Sequence, residues 1–150
     1  MSTGFEQEKD LLFFGDDTDL SEHVSSLRYA SIIQRALMPD PEIIRKYLKD
    51  YFVLFLPRDI VSGDFFYAYA DRKRLCVAAG DCTGHGVPGA LMSILGISFL
   101  NEVMQGCISY KANRILNMLR EKVMKALRQK GDDSSAKDSI DLALCLFDMS

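Results

Sequence analysis

Gly80-Asp81-Cys82-Thr83-Gly84-His85-Gly86-Val87-Pro88-Gly89-Ala90-Leu91-Met92-Ser93 is the stretch whose reading decides the fold. Upstream of it, Arg74 to Gly80 reads as a short apolar strand. Three glycines within Gly80–Gly86 then allow a tight turn and leave room for a ligand to approach the backbone. Pro88 stands where a first helical residue would, because its missing N–H is not needed there. From Pro88 to about Gln105 the chain is apolar nearly all round, which predicts a buried helix. Gly89, Ser93 and Gly96 form one strip of small side chains on that helix, where another backbone can come close.

Working outward, Asp64 to Ala70 reads as a strand joined to the one at 74–80 by the polar hairpin Asp71-Arg72-Lys73. The continuous run Tyr51-Phe-Val-Leu-Phe-Leu56 predicts a further, buried strand, so 51–81 is expected to be an antiparallel meander. A short helical turn is expected at 42–49. On the far side, Leu116, Leu119, Val123 and Leu127 mark the apolar stripe of a helix over about 112–129, ended by Gly131. A polar loop follows to Asp138, and Ile140 to Asp148 alternates into a last strand. Before all of this, Leu20, Val24, Leu27, Ala30, Ile33 and Leu37 share one face of a helix over about 19–38, stopped by Pro39 and Pro41. That helix is long enough to pack on the domain or to zip against a second copy. The expected organisation is an acidic, flexible leader at 1–18, a lead-in helix at 19–39, and a folded α+β unit at 42–150.

Composition narrows the function classes. The 150 residues suit one domain with its own core. With 48% hydrophobic and 26% charged residues, the chain is not disordered throughout. A net charge of −3 gives no global reason to expect nucleic-acid binding. No uninterrupted apolar stretch reaches the ~18 residues of a membrane span. The acidic start, with Glu6, Glu8, Asp10, Asp16, Asp17 and Asp19, is unlike a secretory signal. Cys76, Cys82, Cys107 and Cys145 stand apart with no CxxC pair and read as free thiols of a reducing compartment, so a cytoplasmic protein is expected.

Two acidic turns carry the candidate chemistry: Pro57-Arg58-Asp59-Ile60-Val61-Ser62-Gly63-Asp64-Phe65, and the stretch around Asp81. Antiparallel pairing of 64–70 with 74–80 would bring Asp64 and Asp81 to one sheet edge. Two carboxylates so placed repel unless a cation lies between them or one stays protonated. Hard divalent ions such as Mg²⁺ or Mn²⁺ suit such oxygen ligands, and a two-metal site would activate water for in-line phosphoryl transfer. The plainer reading is that both aspartates cap turns. Arg58 would either hold a substrate phosphate or pair with Asp59. His85 would touch phosphate or water, donate a proton, or simply shape the loop before Pro88. A cysteine nucleophile at Cys82 is disfavoured, because Asp81 beside it raises its pKa. The basic run from Lys111 to Lys130 reads as the solvated face of an amphipathic helix.

PRDIVSGDFFY at 57–67, GDCTGHGVPGALMS at 80–93 and IDLALCLFD at 140–148, in this order and separation, resemble the bacterial metal-dependent serine/threonine protein phosphatases (PPM, type 2C). The subfamily resembled is that of the stage II sporulation protein E phosphatase. The helix ending Gln34-Arg35-Ala36-Leu37-Met38-Pro39 resembles that family's regulatory lead-in helix. The resemblance implies an α/β/β/α sandwich, two antiparallel sheets flanked by helix pairs. It implies Asp64 on one metal, Asp81 bridging two Mn²⁺ or Mg²⁺ ions, and the backbone carbonyl of Cys82 as a further ligand. A metal-activated water would then attack a phosphoserine or phosphothreonine directly. The implied substrate is a phosphoprotein of the anti-sigma-factor-antagonist kind in a partner-switching pathway. The family adds aspartates from a later turn and a final strand; no such motif occurs here, and Asp132, Asp133 and Asp138 precede the 140–148 strand. The chain is therefore expected to be the N-terminal part of a catalytic domain, weakly active or inactive. The alternative is a non-catalytic regulatory module, dimerising through the 19–38 helix or through exposed sheet edges.

Overall fold

The structure, a computed structural model, describes residues 17–71, 73–106, 111–129 and 138–149. Helix α1 spans Asp17–Leu37 and α2 Pro41–Arg45; strands β1 (Phe65–Ala70) and β2 (Arg74–Cys82) follow. Helices α3 (Gly86–Gly106) and α4 (Ala112–Ala126) then lead to β3 (Ile140–Asp148). The strands form one antiparallel sheet of order β1-β2-β3, with α3 and α4 paired on one face. This is the α+β arrangement expected, with the long helix in front. The leader at 1–16 and the polar loop at 130–137 lie outside the described residues; α1 starts at Asp17, inside the stretch assigned to the leader.

Alternation along the strands builds the core. Phe65 and Tyr67 of β1, Cys76 and Ala78 of β2, and Leu142, Leu144 and Leu146 of β3 face the helix pair. Ile97, Leu100, Val103 and Met104 of α3 and Ile115, Leu119 and Val123 of α4 meet them. Burying each large aliphatic side chain contributes about 1.5–3 kcal/mol. α3 is, by length and composition, apolar enough to cross a membrane; in this fold it packs between sheet and α4, as its all-round apolar sequence predicts. Glu102 of α3 and Lys122 of α4 close the outer side of the pair at 2.6 Å.

The strip of small residues on α3 does what the sequence expects. A Cβ on Gly89 would lie 3.1 Å from Gly63 Cα and 2.6 Å from the Gly84 carbonyl oxygen. Ser93 is fully buried with its hydroxyl 3.1 Å from Ser62 O, and Gly96 seats the Phe65 ring. The 62–65 backbone therefore lies directly on α3.

Two expectations need correction. Residues 51–56 are not a buried strand: among the described residues they join no ladder, and Phe52, Leu54 and Leu56 are 88%, 75% and 80% exposed. A continuous apolar run marks burial but not a partner. Here the run lies along the sheet's second face, with Phe55 edge-on to Phe66 at 6.1 Å between ring centres. The meander is thus two strands, completed by β3. The apolar face assigned to α1 is also only partly used. Leu20, Ile33 and Leu37 are exposed, whereas Leu27, Ala30 and Met38 are half-buried and Gln34 is fully buried. The helix turns Gln34 inward because its contact surface on the domain is polar.

Candidate functional site

Antiparallel register places the two candidate carboxylates. Phe65 pairs with Gly80, so the next step outward sets Asp64 beside Asp81 on the sheet face away from α3. Asp81 is in turn the register partner of Asp141 on β3. Three aspartates thus lie in a row across one sheet end, and line an open hollow of about 750 Å³ together with Leu54, Leu56 and Phe66. Asp141 was not among the residues singled out from the sequence. Its alternation with Leu142 was visible, but only strand pairing puts it beside Asp81. Among the described residues, no three His, Cys, Asp or Glu side chains converge closely enough to hold a metal by themselves.

The electrostatics favour a cation at the pair. Local burial, the facing Asp81 charge and a side-chain hydrogen bond to Asp81 hold the Asp64 carboxyl above its ordinary range. The pair must therefore share a proton or take a positive ion between its oxygens. The donors are hard oxygens, matching Mg²⁺ or Mn²⁺ rather than a thiolate-seeking metal.

The turns around the pair are fixed from several directions. Thr83 N donates to Ser139 O at 3.0 Å, and Ser139 N donates to Thr83 Oγ1 at 3.0 Å, which extends the β2–β3 ladder one residue past Cys82. The chain then reverses through Gly84 (φ 88°) and Gly86 (φ 62°), a backbone region that disfavours side chains. A Cβ on Gly63 would lie 2.9 Å from Gly84 O and 3.2 Å from Cys82 O, so both carbonyls turn toward the first acidic turn. Cys82 itself is buried, and burial with the Asp81 and Asp64 charges pushes its thiol up to about 12. Its side chain is therefore no nucleophile, in line with the sequence expectation.

His85 and Arg58 stand on the rim. His85 Nδ1 lies 3.4 Å from Asp59 Oδ2, with the imidazole largely exposed. Asp59 thus faces His85 rather than Arg58. Arg58 is exposed and, among the described residues, pairs with no carboxylate. The basic side chains Arg114, Arg120 and Lys125 of α4 are exposed, as a solvated helix face requires.

No protein-family model and no curated protein matches the chain. Among solved structures, it is similar to the SiaA-PP2C domain of Pseudomonas aeruginosa, at 29% sequence identity and a TM-score of 0.74. The match covers 86% of this chain and 50% of that one, so the chain spans about half the length of the domain it resembles. The likeness supports a PPM-type phosphatase fold.

Proposed function

We propose that this chain carries part of the metal site of a phosphoserine/phosphothreonine protein phosphatase of the stage II sporulation protein E type. The observation that carries the reading is the Asp64–Asp81 pair at one sheet end, with Asp64 held above its usual range by its neighbour. The likeness to a PP2C domain supports it. Asp64, Asp81 and the Cys82 carbonyl would hold Mn²⁺ or Mg²⁺. Metal ions held there would supply an activated water for in-line attack on phosphorus. The chain's own residues supply the rest. Arg58, which pairs with no carboxylate among the described residues, would grip phosphate oxygens bidentately. His85, oriented by Asp59, would contact the phosphate or the leaving oxygen. Two carboxylates and one carbonyl would by themselves hold the ion weakly, since ligand number and rigidity set affinity.

The substrate would be a phosphoprotein of the anti-sigma-factor-antagonist kind, in a bacterial cytoplasmic partner-switching pathway. A second reading, a regulatory module that dimerises through α1, draws on Leu20, Tyr29 and Ile32, which are 73%, 67% and 63% exposed.

The test is Mn²⁺ titration by calorimetry, together with Mn²⁺-dependent hydrolysis of p-nitrophenyl phosphate, on this chain and its Asp81→Asn variant. Mn²⁺ uptake and turnover that both disappear in the variant are expected. Uptake unchanged by Asp81→Asn would refute the assignment. Loss of neither dimerisation nor uptake on removing the exposed α1 side chains would set the second reading aside.

A further inference from the structure

Glutamine is mostly a surface residue, and a buried carboxamide costs about 1–3 kcal/mol unless its polar atoms are paired. Gln34 is 3% exposed, in the last turn of a helix whose neighbouring apolar residues Ile32 and Ile33 face solvent. Its pairing is complete where it counts. Nε2 donates to Ser62 O at 2.5 Å and to Ser93 Oγ at 2.7 Å. Ser62 N donates back to Gln34 Oε1 at 3.0 Å. One side chain thus satisfies both polar groups of the Ser62 backbone, as a neighbouring strand would.

Among the described residues, no backbone–backbone hydrogen bond holds 52–63. The next link runs to the acidic pair: Asp64 N donates to Ser62 Oγ at 3.0 Å. Ser93 closes the arrangement from α3, its single proton lying between Ala90 O at 2.9 Å and Ser62 O at 3.1 Å. Gly63, between Ser62 and Asp64, is pressed against the Gly84 carbonyl and has no slack to absorb a shift.

We infer that Gln34 is a positioning residue for Asp64: through the Ser62 backbone and hydroxyl, its carboxamide fixes where the Asp64 carboxylate stands relative to Asp81. The inference rests on the proposed metal role of that pair.

Gln34→Leu removes all three polar contacts at similar volume. Ile44→Ala is the reference: it destabilises a separate small cluster with Ala68 and Leu75 and touches none of the linkage. The readouts are Mn²⁺ affinity by calorimetry, the Mn²⁺ concentration for half-maximal hydrolysis against the saturated rate, and hydrogen exchange at the Ser62 and Asp64 amides. Loss of an outer partner of a metal ligand weakens metal binding about 10–100-fold. Gln34→Leu is therefore expected to lose that much affinity, to raise the half-saturating Mn²⁺ more than it lowers the saturated rate, and to speed both amides. Ile44→Ala should leave Mn²⁺ affinity unchanged. Wild-type affinity in Gln34→Leu, or an equal loss in Ile44→Ala, overturns the inference. Should the unmodified protein take up no Mn²⁺, the phosphatase reading fails. The exchange rates then decide the linkage alone, and an Asp64 amide as protected in Gln34→Leu as in the unmodified protein overturns it.

Discussion

Replacing Gly89 by alanine tests the backbone junction beneath the acidic pair. The added methyl would stand 2.6 Å from Gly84 O, 3.1 Å from Gly84 C and 3.1 Å from Gly63 Cα, where ordinary contact begins at 3.4 Å. About 0.8 Å (3.4 minus 2.6) must be found at the oxygen, and the obstacles are backbone atoms, not the tip of a flexible side chain. Overpacking of this kind costs about 1–3 kcal/mol. Alanine also recovers up to ~1 kcal/mol of helix propensity. The net loss is then between about 0 and 3 kcal/mol, or a fall in Tm of up to roughly 12 °C for a chain of this size. Gly106→Ala is the internal control: it ends the same helix, nothing among the described residues lies within 4 Å of its Cβ, and it should gain up to ~1 kcal/mol. Thermal and urea denaturation of both variants, with Mn²⁺ titration of each, separates propensity from crowding. A Gly89→Ala that gains as much stability as Gly106→Ala would show that α3 and the two turns do not touch as described.

Two other perturbations follow from the titrating groups. Burial pushes the thiols of Cys76 and Cys82 up to about 12, whereas Cys145 is exposed; iodoacetamide at mildly alkaline pH should modify Cys145 and spare the other two until the protein unfolds, as peptide mass mapping would show. Rapid labelling of native Cys82 would contradict its burial. The raised Asp64 pKa means that the metal-free fold prefers the protonated carboxyl. Its contribution is present below the unfolded carboxylate pKa and is lost as pH rises through the folded value. Asp64→Asn should therefore gain stability relative to the unmodified protein between about pH 4 and 7. Saturating Mn²⁺ should reverse that order, and a stability difference independent of pH would refute the coupling.

The parts of the fold that sequence made legible are those with a local cause. Glycine at 84 and 86 anticipates a turn through positive φ, and the structure has both there. Gly89, Ser93 and Gly96 anticipate a close backbone, and residues 62–65 supply it. The alternation from Ile140 to Asp148 anticipates a half-buried strand with Leu142, Leu144 and Leu146 inward. What was not legible depends on a partner distant in the chain. Tyr51 to Leu56 is as apolar as any strand, yet strand identity belongs to a pair, and none of the described residues pairs with it. Asp141 becomes a neighbour of Asp81 only once β2 and β3 are in register. Gln34 looks like an ordinary polar position in a helix, and nothing local announces a socket made by residues 28 and 59 positions away.

The strand order has a kinetic consequence. β1 and β2 are joined by a short turn and can zip together within about 1–10 μs, as hairpins do. β3 must reach the other edge of β2 from much further along the chain: Cys82 pairs with Ile140 and Arg74 with Asp148. Closing so long a loop is favourable only once its span has been shortened, and stacking α3 against α4 does that, returning the chain to the sheet. The central strand is thus half-dressed until the helical hairpin has formed, and β2 waits with one edge bare. Assembly at that edge, rather than at the early hairpin, should set the pace of folding. It also defines the interval in which β2 is open to pairing with another chain, an interval that closes when β3 docks and brings Asp141 beside Asp81.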